Sequence, residues 1–154
     1  MSDRTHELLH RNLQEVFGEG DATCRRAAIK DFYTEDCALY VPPGVFIGHD
    51  ALDKFAGDLR ATHPHFSYTP DGEPQALHNA GRIAWSSGVK GEEPDYTGLD
   101  VIIVRDGKIA ALYVFLDSMP TRKRPSATAS SRPFEADTDP NIVAGLGGPG
   151  RQFR

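Results

Sequence analysis

The chain has 154 residues, of which 39% are hydrophobic and 25% charged, and a formal net charge of −5 at pH 7. These values are ordinary for one soluble globular domain, and the negative charge disfavours a general nucleic-acid binder, which needs basic surface to neutralise phosphate. No apolar run is long enough to cross a bilayer and no signal-peptide pattern opens the chain, so we predict a cytoplasmic protein with no membrane partner. Cys24 and Cys37 lie in no cluster with metal-ligand spacing, so we predict no metal site.

The first half of the chain predicts two helices, a strand pair and a third helix. Apolar residues recur at helical spacing over 8–17, and Gly18 ends this first helix. The second helix begins with a cap at Asp21 or Thr23 and carries Tyr33 on its apolar side. The remaining elements are short strands over 37–41 and 45–47, separated by a Pro-Pro-Gly turn, and a third helix over 51–60.

The second half predicts antiparallel strands that end in a hairpin. Strands over 65–69, 75–78 and 82–89 are separated by turns that contain Gly or Pro. The hairpin over 96–117 has the turn dipeptide Asp106-Gly107 between two apolar arms rich in β-branched residues.

The order of these elements predicts the fold class and the domain boundary. Helices followed by a run of strands predict an α+β fold, with the helices packed on one face of a mainly antiparallel sheet. After Asp117 the composition becomes rich in Pro, Gly and Ser. We therefore predict one domain over 1–117 and a C-terminal extension over 118–154.

Asp100 is the main chemical lead, because it interrupts an otherwise apolar strand. If it points inward, it shares its face with Ile102 and Val104. A carboxyl there costs free energy unless it is hydrogen-bonded or protonated, and burial would raise its pKa toward the range of a catalytic acid/base. The alternative is a structural carboxylate that caps backbone N–H groups or pairs with Arg82 or Arg105.

Apolar residues on the predicted sheet fall on two faces. If Leu112, Val114 and Leu116 face inward, then Tyr113 and Phe115 face outward, and so apolar an outer face predicts a homodimer interface. Trp85, the only tryptophan, is either an aromatic wall of a pocket or a plain core residue. The predicted ligand-contacting residues, which are core residues if no pocket exists, are Val41, Phe46, Phe55, Trp85, Leu112 and Val114.

Three stretches together resemble a known family. The first reads FYTEDCALYVPPGVFIGHDAL, the second GRIAWSSG and the third GLDVIIVRDGKIAALYVFLD. In order and spacing they are similar to the SnoaL-like branch of the nuclear transport factor 2-like superfamily, over roughly the first three quarters of the chain. The resemblance implies a conical α+β fold, in which a strongly curved sheet wraps around a long helix and an apolar pocket opens at the wide end.

The resemblance also bears on chemistry, residue by residue. Ketosteroid isomerases of this superfamily use a Tyr and two Asp residues, which align here with Leu13, Val41 and Asp100. The Asp-Arg-Asp set of its epoxide hydrolases would place the second Asp at Val114. Neither set is complete, whereas Asp100 matches the acid/base Asp of the SnoaL-like cyclases.

We therefore predict a protein that binds a small, largely apolar molecule without metal or cofactor. It is either a cyclase or isomerase that uses Asp100 as acid/base, a non-catalytic binding protein, or a dimerisation module of the same fold. An enzyme needs a second polar group beside Asp100, whereas a binding protein needs only apolar walls.

Overall fold

The computed structural model describes residues 2–117, and the predicted extension over 118–154 lies outside them. Three helices and one π-helical turn precede or interrupt a single seven-stranded sheet. Within residues 2–117, no helix is long and apolar enough to span a membrane. The helical elements are α1 (Ser2–Arg11), the π-turn (Asn12–Phe17), α2 (Ala22–Phe32) and α3 (His49–Thr62). The strands are β1 (Tyr33–Val41), β2 (Gly44–Ile47), β3 (Phe66–Pro70), β4 (Gln75–Leu77), β5 (Ala80–Val89), β6 (Tyr96–Arg105) and β7 (Lys108–Leu116).

The sheet places β6 and β7 near its centre. Its order is β2-β1-β7-β6-β5-β3, with β4 added beside β5. All pairs are antiparallel except β1 with β7, which run parallel. The sheet is curved and unclosed, so the predicted α+β class is confirmed.

The hydrophobic core lies between the helices and the inner face of this sheet. Leu8, Leu13 and Val16 bring α1 and the π-turn against Ile83 of β5 and Ile102 of β6, and all five side chains are fully or almost fully buried. Burial of this kind supplies most of the stability of a small domain, because apolar area is removed from water.

The predicted hairpin is confirmed at its turn. Asp106 and Gly107 have φ angles of 55° and 76°, which is the left-handed region that a two-residue hairpin turn requires. On β6, Asp100 and Ile102 point inward and are 3% and 0% exposed. The alternation predicted for this arm is therefore correct.

The junction of α2 and β1 differs from the sequence prediction. Tyr33, predicted on the second helix, already has the extended angles φ −115° and ψ 143° and begins β1. The polar residues 34–36 continue that strand, although they interrupt the apolar pattern by which strands are identified. Their pairing with β7 is irregular, with a register shift between Tyr33 and Ala38.

The outer face of β7 is apolar and partly open to solvent. Tyr113 and Phe115 are 37% and 55% exposed, as the alternation predicts. Tyr113 stacks on Tyr40 of β1, with ring centroids 4.4 Å apart. Leu116 was predicted to face inward but is 43% exposed, because it lies at the last residue of β7, where the sheet ends.

Candidate functional site

The candidate site is centred on the carboxyl group of Asp100. Because β6 lies between β5 and β7, Asp100 is paired with Ile83 on one side and Val114 on the other. Its side chain therefore points from the middle of the sheet into the core.

Two N–H groups hold this carboxyl. The indole Nε1 of Trp85 donates to Oδ1 of Asp100 at 2.8 Å, and the amide Nδ2 of Asn12 donates to Oδ2 at 3.3 Å. Among residues 2–117, no Lys or Arg forms an ion pair with it, and Arg82 donates instead to Gln75 and Arg105 to Asp36. The alternative in which Arg82 or Arg105 pairs with Asp100 is therefore wrong.

Burial and hydrogen bonding act on the Asp100 pKa in opposite directions. Burial raises it because the charged form loses its hydration, and the hydrogen bonds from Trp85 and Asn12 lower it because N–H donors favour the carboxylate. The net result is a pKa of about 7, against an ordinary value of 3.8. At neutral pH both the acid and the carboxylate are then populated, which is the condition for general acid/base chemistry.

Asn12 is itself held in place by Tyr33. The Tyr33 hydroxyl donates a short hydrogen bond to Oδ1 of Asn12. With its carbonyl used in this way, the amide of Asn12 presents its NH2 group to Asp100. Burial, and next the Asp100 charge, raise the pKa of Tyr33 well above its usual range, so Tyr33 stays a donor.

Asn12 begins the π-turn, which is recognised by a backbone hydrogen bond wider than that of an α-helix. The N–H of Gly18 donates to the carbonyl of Leu13 at 2.8 Å, a bond that spans five residues instead of four. Such π-helical turns are rare and occur frequently at functional sites.

Trp85 reaches Asp100 because β6 carries a glycine beneath the indole. A Cβ at Gly98 would lie 2.5 Å from Cζ2 of Trp85, a distance that carbon atoms do not tolerate. Gly98 and Trp85 are also direct partners in the β5–β6 ladder. Trp85 is thus both a core residue, 5% exposed, and a hydrogen-bond donor to Asp100.

Tyr68 and Ser87 contribute two further hydroxyl groups near Trp85. The ring of Tyr68 packs edge-on against the indole, with centroids 5.5 Å apart, and burial raises the pKa of Tyr68 to about 12. Ser87 is 3% exposed, and its side-chain hydroxyl, which faces Tyr68, partly offsets the increase in the Tyr68 pKa. Its Oγ nevertheless has no hydrogen-bond partner of good geometry among residues 2–117.

The predicted ligand-contacting residues do not all lie together. Trp85 and Val114 lie next to Asp100. Phe46 and Phe55 pack on each other, with ring centroids 5.0 Å apart, and are half-buried. Leu112 is fully buried in the core, and Val41 joins Val114 along a surface cleft of about 300 Å³.

Sequence reasoning missed four polar residues: Asn12, which contacts Asp100, Tyr33, which holds Asn12, and the pair Tyr68 and Ser87, which lie opposite each other on β3 and β5. For Asn12 a signal existed, because Leu8, Asn12 and Val16 are spaced by four and lie on one helical face. The other three are unremarkable in the sequence, and only the folded sheet brings them together. Within residues 2–117, no group of three or more His, Cys, Asp or Glu side chains could hold a metal ion.

This combination defines a class of protein. It has an α+β fold with helices on the inner face of a curved sheet, and uncharged hydrogen-bond donors surround one buried carboxyl group. The SnoaL-like domain model matches residues 10–112, which is more than half of the chain. The chain therefore belongs to the SnoaL-like family.

Solved structures agree with this fold. A proposed isomerase of the SnoaL-like family from Agrobacterium tumefaciens has a TM-score of 0.70 at 20% identity, covering 75% of this chain and 99% of its own. A proposed SnoaL-like polyketide cyclase from Jannaschia has a TM-score of 0.63 at 11% identity, covering 75% and 87%. A proposed ketosteroid isomerase from Kribbella flavida has 0.59 at 15% identity, covering 89% and 96%. No curated protein matches the sequence.

Proposed function

We propose that this protein binds a small, largely apolar carbonyl compound and that Asp100 acts on it as acid/base, in a cyclisation or isomerisation next to the carbonyl. The observation that supports the proposal most directly is the buried Asp100 carboxyl with a pKa of about 7. A side chain that is half protonated near neutral pH can both take and return a proton.

The reaction needs only proton transfer. The Asp100 carboxylate takes a proton from the carbon next to the carbonyl, and the C–H electron pair moves to the carbonyl oxygen to give an enolate. In an isomerisation the now neutral Asp100 returns that proton to another carbon of the enolate. In a cyclisation the enolate carbon attacks a second carbonyl, forming a C–C bond, and Asp100 gives its proton to the alkoxide.

Such a reaction also needs a donor for the enolate oxygen, because charge that develops away from water must be stabilised. The Tyr68 hydroxyl is suited to this role, since burial keeps it protonated and its ring lies against Trp85. Ser87 adds a buried hydroxyl whose Oγ has no hydrogen-bond partner of good geometry among residues 2–117. We assign to these two groups the second polar function that an enzyme needs and a simple binding protein does not.

A non-catalytic binding protein is the second candidate. Both oxygens of Asp100 already accept hydrogen bonds from the protein, its side chain is 3% exposed, and it does not line the surface cleft that contains Val41 and Val114. A ligand can therefore reach Asp100 only if side chains move, with Phe46 and Phe55 as half-buried neighbours of the core.

The test follows hydrogen–deuterium exchange next to a carbonyl. Cyclic ketones and polycyclic phenolic ketones are incubated with the protein in D2O, and loss of the α-proton signals is followed by 1H NMR. The same compounds are screened for a rise in melting temperature, because a ligand of the folded state stabilises it by mass action. We expect exchange to fall by about 100-fold or more in Asp100→Asn, the usual contribution of a general base.

The matched control is Asp58→Asn, which removes a carboxylate that is 69% exposed and pairs with Lys54 on the surface of α3. Its exchange rate should equal that of the unmodified protein. Stabilisation by a ketone without exchange supports the binding protein instead. No stabilisation and no exchange with any compound contradict both candidates.

A further inference from the structure

A second cleft, which shares no residue with the one at Val41 and Val114, lies between the start of α2 and the end of α3. Its volume is about 270 Å³. We call it the arginine cleft, because two guanidinium groups line it. Its lining residues are Gly20, Arg25, Gly57, Arg60, Ala61 and Pro64.

Arg25 forms the fixed wall of the arginine cleft. Its side chain is 6% exposed, and its Nε donates to Asp53 at 2.7 Å, so its charge is compensated within the protein. Its Nη1 donates to the carbonyl of Glu19 at 2.9 Å. The third nitrogen, Nη2, lies over Gly57, where a Cβ would come within 2.8 Å of it.

Arg60 forms the opposite wall, and no carboxylate of the described residues pairs with it. Its Nη1 donates a short hydrogen bond to the carbonyl of Phe66, which fixes the guanidinium group. Among residues 2–117, no carboxylate oxygen lies within 4.0 Å of Arg60, whereas Arg4, Arg11, Arg25, Arg26 and Arg105 all have one. Its Nε faces the backbone of Gly20, where even a Cβ would stand 3.6 Å away.

We propose that the arginine cleft binds a small organic carboxylate. A partly buried guanidinium group with unused N–H groups matches the two oxygens of a carboxylate, and such charge-assisted bonds are among the stronger ones in proteins. The absence of a side chain at Gly57 lets the Arg25 guanidinium lie against α3, and Gly20 places no side chain against Arg60. Ala61 and Pro64 offer apolar contact to the hydrocarbon part of the ligand.

This inference does not rest on the proposed function of Asp100. The arginine cleft shares no lining residue with the Asp100 network of Asn12, Tyr33 and Trp85. Asp100→Asn should therefore leave carboxylate binding at the arginine cleft unchanged. Each proposal can fail while the other stands.

Benzoate is a suitable probe, with benzamide as its uncharged counterpart of the same shape. Each is titrated into the 15N-labelled protein and followed by two-dimensional NMR. We expect benzoate, but not benzamide, to shift the amide signals of Gly20 and Gly57. Arg60→Gln should weaken benzoate binding by about tenfold or more, because a hydrogen bond to a charged group is lost. Lys54→Gln, the same charge change on a residue 78% exposed elsewhere on α3, should leave it unchanged.

Gly57→Ala provides a second variant that suits the helix, since alanine is the better helix former. Its Cβ would displace the Arg25 guanidinium and narrow the arginine cleft, so benzoate binding should again weaken. Absence of benzoate binding to the unmodified protein would overturn the proposal. Equal binding of benzamide, unchanged binding in both Arg60→Gln and Gly57→Ala, or loss of binding in Asp100→Asn would do the same.

Discussion

Replacing Asp100 with asparagine should change stability in a pH-dependent way, so that the variant gains stability relative to the unmodified protein as pH rises from about 4 to about 7. The carboxyl has a pKa of about 7 in the folded state and an ordinary value of 3.8, so the folded state binds this proton more tightly than the unfolded state. Where the folded state holds more protons, raising the pH lowers the free energy of unfolding. The amide of the Asp100→Asn variant cannot ionise, so the variant escapes this loss.

The magnitude follows from the two pKa values. Compared with a carboxyl that stays protonated, Asp100 lowers the free energy of unfolding by about 2 kcal/mol at pH 5 and by about 4 kcal/mol at pH 9, at roughly 1.4 kcal/mol for each pH unit between the two pKa values. The difference in stability between Asp100→Asn and the unmodified protein should therefore grow by about 2–3 kcal/mol across this range, most of it between pH 5 and pH 7. The constant part of the difference depends on how well the new amide replaces the carboxyl toward Trp85 and Asn12, and the pH-dependent part does not.

Urea unfolding of both proteins at each unit from pH 5 to pH 9 measures this difference. Every other ionisable group is the same in both proteins, so its contribution cancels in the comparison. A stability difference that stays constant within about 1 kcal/mol, or that shrinks as pH rises, would refute the reasoning. Asp100 would then be ionised in the folded protein throughout, and its proposed acid/base role would lose its main support.

Three further predictions concern other contacts. Trp85→Phe removes an N–H donor that favours the carboxylate, so the Asp100 pKa should rise above 7. A 13C NMR titration of the carboxyl group measures this pKa, and a fall would contradict the assigned role of the indole. Gly98→Ala should lower the free energy of unfolding by about 1–3 kcal/mol, because its Cβ would collide with Trp85. The control Gly44→Ala should leave the free energy of unfolding unchanged, since a Cβ there meets no atom within 4 Å. Equal effects of the two substitutions would refute this. We also propose a homodimer through the outer sheet face, so sedimentation at micromolar concentration should show a dimer that Tyr113→Glu converts to monomer; a monomeric unmodified protein would contradict it.

The sequence was informative wherever a residue conflicts with its local pattern. Asp100 stands out as a carboxyl in an apolar strand, and Asp106-Gly107 stands out as a turn between two such strands, so both could be found without the structure. Asn12 conflicts with its helical face in the same way, but a single amide in a helix is a weaker signal than a carboxylate in a strand.

The remainder of the site could not be predicted, because it depends on tertiary contacts. Tyr33 follows directly on α2, and only the early start of β1 turns its hydroxyl toward Asn12. Tyr68 and Ser87 meet because β3 and β5 pair in a register that places them opposite each other. No local pattern specifies that register.

The position of β7 between β1 and β6 has a consequence for folding during synthesis. β7 is the last strand of residues 2–117 to leave the ribosome, yet it lies between β1 and β6 and joins two halves of the sheet. Until it is synthesised, one edge of β1 and one edge of β6 have no neighbour, and unpaired edges favour aggregation. A nascent chain that stops before 108 therefore cannot complete its sheet. The interval before β7 emerges is therefore one in which the nascent chain carries two unpaired sheet edges.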